Sequence, residues 1–386
     1  MVGSRTIAVS TAAVVVSLLA TGPAAAGGHR PGGKCPAAEP LVGPAHLVTR
    51  TLAKGVTVSV GTAKDAEGTV VIHVLRAQLT DRKVMVAPLV HSLAQRSPLS
   101  HLAAGRPHLV AASNTGYFDF RTGAPAGPLI SRSVPRMLSS DHEAVVGLGT
   151  TGLGQSGNVW LSGTVKTAAS SYPLAAINEV DPPAGISVYT RAWGSRIFLP
   201  NTAETRPVTG GLIHAHSGRG STIPSGGDLL VANGRAAQRW LTAVPNGTRL
   251  TLSAAVKTNA PQPFVQAFGV GNQLVKQRGV ALTGFSCDSA NTKLPARTSV
   301  GFTAGGRQLV IGFVNDHPGT SQHGLDNNEM SALMVQLGVS TAFSFDGSGS
   351  TELLARGKGA KSLTLRTYPA DGEERPMPLG LGVFSR

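Results

Sequence analysis

The sequence predicts an α+β fold: strand-rich, with a mixed or mostly antiparallel sheet core and few helices. Three observations predict it. Short β-type apolar runs recur along the chain, and each is closed by Gly, Pro, Asn, Asp or Ser, the residues that supply turns. One segment carries helical spacing together with a start and a stop signal. No internal repeat, heptad or low-complexity tract competes with that reading.

Of the 386 residues, the first 26 read as a targeting segment rather than as fold. Arg5 supplies the positive start, "IAVSTAAVVVSLLA" the apolar stretch, and "PAAAG" a small-residue cleavage site after Ala26. The apolar run is too short for a membrane span, no second candidate follows, and no cysteine closes it to take a lipid. The expectation is a secreted, extracellular protein without a membrane anchor. Residues 27–45, rich in Gly and Pro, read as a flexible leader, and 46–386 as one domain. Cys35 and Cys287 suit an oxidising compartment; whether they pair is left open, and neither has a metal or redox spacing.

The formal charge is +14, with basic residues scattered and aromatics at only 5%. That pattern argues against nucleic acid. It suits an anionic polymer or a phosphate-bearing substrate, and equally a charge that serves solubility alone.

The elements follow in order. "GVTVSVGT" and "TVVIHVLRAQL" read as strands joined through "DAEG", and "KVMVAPLV" as a third. "LSHLAAG" suggests a short helix, and "HLVAASNTGYF" a strand that empties into a loop. In the middle of the chain, "GISVYTRA", "DLLVANG" and "RLTLSAAV" alternate with turn clusters. "GLDNNEMSALMVQLG" is the legible helix. Asp326 caps it, Glu329 stands at the capping-box position, Met330, Leu333, Met334 and Leu337 form one apolar face, and Gly338 stops it. It hands over to strand 341–345, which ends on Asp346 and the small-residue loop "GSGS".

Several signatures are absent. "FGVGNQL" lacks the third glycine of a dinucleotide loop, and "FDGSGS" is not a nucleophile elbow because Asp346 stands two before Ser348. There is no Walker lysine loop and no His-Glu-x-x-His. His214 and His216 share one face of a strand, but with no third ligand in view they read as ordinary histidines. What remains are polar residues at strand ends: Asn114 and Asp119; Arg297 and Thr298; Asn315, Asp316 and His317; Asp346, Ser348 and Ser350. Singly, each reads as well as a turn former, an ion pair or, for Glu329, a cap. Together they suggest one convergent site.

The ordered blocks "NTGYFD…TGAPAG", "VGNQLV", "ARTSVGF", "VND", "LDNNEMSALMVQLG", "FDGSGST" and "EERPMPLGLGVF" resemble the phosphodiester glycosidase family, most densely over 266–384. The family pattern resembles Asn-Gly-Gly-Phe-Phe at 114–118, Arg-Thr at 297–298, Val-Asp-Gly-Arg near 314–317, an acid at 329 and Asp-Gly-Gly-Gly-Ser at 346–350. Here Thr115, Tyr117, Ser348 and the Asn315-Asp316-His317 run depart from it.

The resemblance implies hydrolysis of a sugar-1-phosphodiester, yielding a free sugar and a phosphate monoester, on a carbohydrate or sugar-phosphate substrate such as an anionic wall polymer. Asp346, Asp316 and Glu329 are then the candidate acid, base or nucleophile, with Asp346 first. Arg297 is the phosphate clamp, because a guanidinium fork matches phosphate oxygens. Asn114, Asp119, Thr298 and Ser350 would hold the substrate, and the backbone of Gly347, Ser348, Gly349 and Ser350 would form an anion nest. No cofactor is required by this reading, and a divalent metal is left open. Two rivals stand beside it: a glycoside hydrolase on a non-phosphorylated envelope glycan, and a non-catalytic wall-polymer binding protein.

Overall fold

The computed structural model describes residues 46–64, 67–197, 204–215, 222–285, 294–357, 359–360 and 362–386. The targeting segment, the leader, both cysteines and His216 lie outside the described residues.

Antiparallel sheets dominate, as the sequence predicts. An eight-stranded sheet runs in the order Val48–Ala53, Val56–Lys64, Thr69–Gln78, Gln308–Val314, Arg297–Phe302, Thr341–Ser344, Gln273–Lys276, Val280–Ala281. A five-stranded sheet is ordered Leu363–Leu365, Leu353–Arg356, Leu109–Asn114, Gly380–Ser385, Val84–Leu89. The middle of the chain builds an eleven-stranded sheet, which holds the one parallel ladder among the described residues, Ser171–Ile177 against Gly185–Tyr189.

The capped helix forms as its sequence dictates. It spans Asn327–Gln336; the Asp326 carboxylate accepts the Glu329 N–H, and the Glu329 carboxylate accepts the Asp326 N–H. Met330, Leu333 and Met334 are buried on the eight-stranded sheet against Ile72, Val74, Val310 and Val314. Each such side chain contributes roughly 1.5–3 kcal/mol of burial. Gly312 sets the depth of that contact, since a Cβ there would lie 3.0 Å from the Met334 sulfur and 3.3 Å from the Met330 methyl. The other face of the sheet buries Val300, Ile311, Phe313, Phe343 and Phe345 together with Leu353, Leu381 and Val383 of the five-stranded sheet. That shared core fixes the two sheets against each other.

One helix is not anticipated: Arg235–Ala243. Ala237 and Leu241 are buried and Trp240 is packed at the edge of the same core, at helical spacing. The segment is only nine residues long and its N-cap is Gly234, without a side-chain cap, so the usual start signal is missing.

Candidate active site

Three adjacent strands of the eight-stranded sheet end at one edge. Thr341–Ser344 runs out through Phe345 to Asp346; its neighbour starts at Arg297; and Arg297 pairs with Val314, after which the third strand runs into Asn315 and Asp316. The Phe345 N–H donates to the Thr298 carbonyl (2.9 Å) and the Ser348 N–H to the Ala296 carbonyl (2.7 Å), so the small-residue loop folds back over the start of the Arg297 strand. At ordinary strand spacing the backbones of Asp346 and Val314 lie about 10 Å apart, with Arg297 between them, and Asp316 follows two residues on.

Asn114 ties this edge to the five-stranded sheet. Its Nδ2 donates to the Asp346 carbonyl (2.7 Å), and its Oδ1 accepts from the Thr298 hydroxyl (2.9 Å) and the Glu352 N–H (3.3 Å). Asn114 and Thr298 are both about 1% exposed. Sequence reasoning put them on the substrate; in the structure their polar atoms bond to protein and hold the Asp346 carbonyl.

Burial is the largest influence on Asp346 and raises its pKa; the Ser350 hydroxyl, the Arg375 charge and the Gly347 N–H (2.9 Å to Oδ1) work the other way. The net result is a carboxylate readier to take a proton than an exposed one. Arg375 is the cation beside it. Its Nε and Nη2 grip Asp371 at 2.7 and 3.0 Å, and its Nη1 reaches the Ser350 hydroxyl at 3.4 Å. The glycines have a concrete purpose here: a Cβ on Gly349 would stand 2.0 Å from Asp371 Oδ2 and 2.3 Å from Arg375 Nη2. Ser348 carries a φ of 53°, a left-handed conformation that glycine adopts without cost, which explains why glycine is usual in the family pattern at this position.

Three of the four N–H groups of the expected anion nest are engaged within the protein. The Gly347 N–H is held by Asp346 Oδ1, that of Ser348 by Ala296, and that of Ser350 by Gly347 (3.1 Å), because residues 348–350 close into a 3₁₀ turn. Asp119 is held within its own loop. Although burial works against its charge, the Thr122 N–H (2.6 Å) and hydroxyl (3.0 Å) and the nearby Arg121 lower its pKa, as in a loop turn. Glu329 is buried in the capping box, its carboxylate on the Asp326 N–H (2.8 Å). Arg297 stays at the edge, its Nε on the Leu325 carbonyl (2.8 Å). Burial raises the pKa of Asp316 while His323 and His317 lower it, and the His317 ring stacks on Tyr368 at 3.7 Å.

Sequence reasoning missed Arg375, Asp371 and Glu352. Arg375 lies in the block "EERPMP", and its charge looked like any surface charge. Glu352 is fully buried; Oε1 accepts the Arg375 N–H (2.8 Å), Oε2 has no partner, and burial above all raises its pKa to about 8. Exposed aromatic rings, Tyr117, Phe120 and Tyr368, stand around this edge, with the Arg375 guanidinium 5.9 Å from the Phe120 ring centre. His214 bonds the Thr209 hydroxyl (2.6 Å), and among the described residues no group of His, Cys, Asp or Glu is arranged to hold a metal ion.

A half-buried carboxylate with a guanidinium nearby, at the meeting of two sheets and beside exposed aromatic rings, makes this edge the candidate polar site of the fold. Comparison with known proteins narrows the class. Residues 202–384 match the family model for phosphodiester glycosidase, so the resemblance carried by the sequence blocks is borne out over those residues. The fold is similar to that of a hypothetical protein from Synechocystis (21% identity, TM-score 0.71, 88% of this chain and 64% of that one). The chain therefore spans somewhat under two thirds of that protein's length. It is also similar to a candidate exported protein of Burkholderia pseudomallei K96243 (17% identity, TM-score 0.66, 82% of this chain and 74% of that one). A third similarity is to the catalytic domain of zebrafish N-acetylglucosamine-1-phosphodiester alpha-N-acetylglucosaminidase, auto-inhibited by its pro-peptide (16% identity, TM-score 0.47, 88% of this chain and 84% of that one). No curated protein sequence matches the chain.

Proposed function

We propose that this protein is a secreted hydrolase that cleaves sugar-1-phosphodiester linkages on cell-envelope or extracellular glycans. Water adds at the sugar C1 while the C1–O bond breaks; the products are the free sugar and a phosphate monoester. The observation that carries the reading is the pairing of Asp346 with Arg375 through Ser350, within the segment that matches the phosphodiester glycosidase family.

The chemistry asks for charge more than for protons. A phosphate monoester has a second pKa of about 6, so it leaves with little protonation. Asp346 then has two tasks: to accept the proton of the attacking water, and to favour positive charge developing at C1. Its raised pKa makes it the stronger base, and Ser350 and the Gly347 N–H orient it. Arg375 and Arg297 flank the place where the diester anion sits, and guanidinium groups stabilise the charge that gathers on the departing phosphate. Asp316 is the second carboxylate at the same edge. Exposed Tyr117, Phe120 and Tyr368 offer flat apolar faces to a sugar ring.

The test is incubation of the protein with a panel of sugar-1-phosphodiesters, with free sugar and new phosphomonoester measured separately. Equal release of both, abolished by Asp346→Asn in a protein with an unchanged melting curve, is expected. Release of sugar from an aryl glycoside but from no phosphodiester would move the reading to a plain glycoside hydrolase. Binding of wall polymer without either product would make it a binding protein.

A further inference from the structure

A second polar cavity lies in the five-stranded sheet, away from Asp346. It measures about 520 Å³ and is lined by Ser100, Arg106, His108, Leu354, Arg356 and Ser362, among others. Arg356 stands at the far end of the Leu353–Arg356 strand, six residues beyond Ser350, or about 20 Å at extended-strand spacing. Among the described residues, the lining groups that can carry charge are two guanidiniums and an imidazole, with no carboxylate. The nearest acid in the bonding pattern, Glu374, is directed to the Ser100 N–H (2.9 Å).

Arg356 Nη2 donates to the Leu109 carbonyl, which fixes the guanidinium plane at the cavity wall. Arg106 reaches only long contacts, at 3.4 Å to each of the Leu102 and Val90 carbonyls, so its guanidinium remains largely available. The wall therefore holds one guanidinium on the strand and one on the loop after the Leu99–Ala103 helix, with His108 and two serines beside them. A planar carboxylate offers two oxygens to such an array. A tetrahedral oxyanion offers three or four, and a guanidinium edge matches two of them at once.

We propose that this cavity is a binding site for a phosphate-class oxyanion, separate from the candidate active site. The volume admits a phosphate that still carries an organic group. Free phosphate and a phosphodiester of a polymer share this chemistry, and the experiment separates them.

The full chain is titrated calorimetrically with inorganic phosphate at constant ionic strength, with chloride as the balancing salt. The expected result is a saturable site that persists in Arg375→Met and weakens at least tenfold in Arg106→Ser and in Arg356→Lys. Arg106 is exposed, so Arg106→Ser keeps the test valid if Arg356→Lys does not fold. A parallel titration with poly(glycerol phosphate) showing the same variant pattern would place a polymer phosphate in the cavity, and binding of inorganic phosphate alone would identify a free anion. Absence of any saturable binding, or binding lost in Arg375→Met and intact in both cavity variants, would overturn the proposal. Neither result depends on turnover, so failure here is distinct from failure of the proposed hydrolysis.

Discussion

Replacing Glu352 by Gln should flatten the stability of this protein between pH 6.5 and 8. In the folded chain Glu352 keeps its proton up to about 8, because burial opposes its charge; the unfolded chain releases it near 4.5. Between those values the folded state binds the extra proton, so stability falls as pH rises. Glu179 behaves alike, also raised to about 8 by burial and by the neighbouring Glu143. His73 has the opposite sign: burial and Arg366 lower it to about 4 from 6.5, so its contribution is lost as pH falls below 6.5 and is constant above. The window above 6.5 therefore isolates the two glutamates, each contributing a slope of about 1.4 kcal/mol per pH unit. Glu352→Gln removes one share, or about 2 kcal/mol across the window. Gln keeps the oxygen that accepts the Arg375 N–H, so the fold is retained. Urea denaturation at half-unit pH steps reads the effect. An identical pH slope in the variant and the parent would refute the reasoning.

Asn114→Ala leaves the Thr298 hydroxyl, the Glu352 N–H and the Asp346 carbonyl without their partner, and should cost at least about 3 kcal/mol by chemical denaturation. Ser348→Gly relieves a left-handed backbone at φ 53° and should stabilise by up to about 1 kcal/mol; a loss of stability would contradict the account of that loop. Arg375→Lys keeps the charge but loses the fork on Asp371. It should lower kcat/KM about a hundredfold on a sugar phosphodiester, equal to about 2.7 kcal/mol of transition-state stabilisation, while the melting temperature shifts little.

The sequence made legible what depends on local pattern. The 327–336 helix declared itself through Asp326, Glu329 and an apolar face at helical spacing, and the strand into Asp346 followed from Gly338 and the run after it. Asn114, Arg297 and Asp346 stand at strand ends in the sequence, and in the structure they lie at one sheet edge. The direction in which each polar side chain bonds was not legible. Asn114 and Thr298 face each other across 184 residues of chain, and no local signal distinguishes an amide that clasps two sheets from one that meets a sugar. Arg375 escaped for a related reason: Ser350 comes from another loop, and Gly349 shows its purpose only beside Arg375 and Asp371. The closing of the 347–350 backbone onto itself is a property of the turn, not of its composition.

In the proposed hydrolysis, water attacks the sugar carbon rather than phosphorus, under the direction of Asp346. Hydrolysis of a sugar-1-phosphodiester in ¹⁸O-water, followed by mass spectrometry of both products, tests it most directly. The label is predicted in the anomeric hydroxyl of the released sugar, with the phosphate monoester unlabelled. Label in the phosphate would show attack at phosphorus and contradict the account.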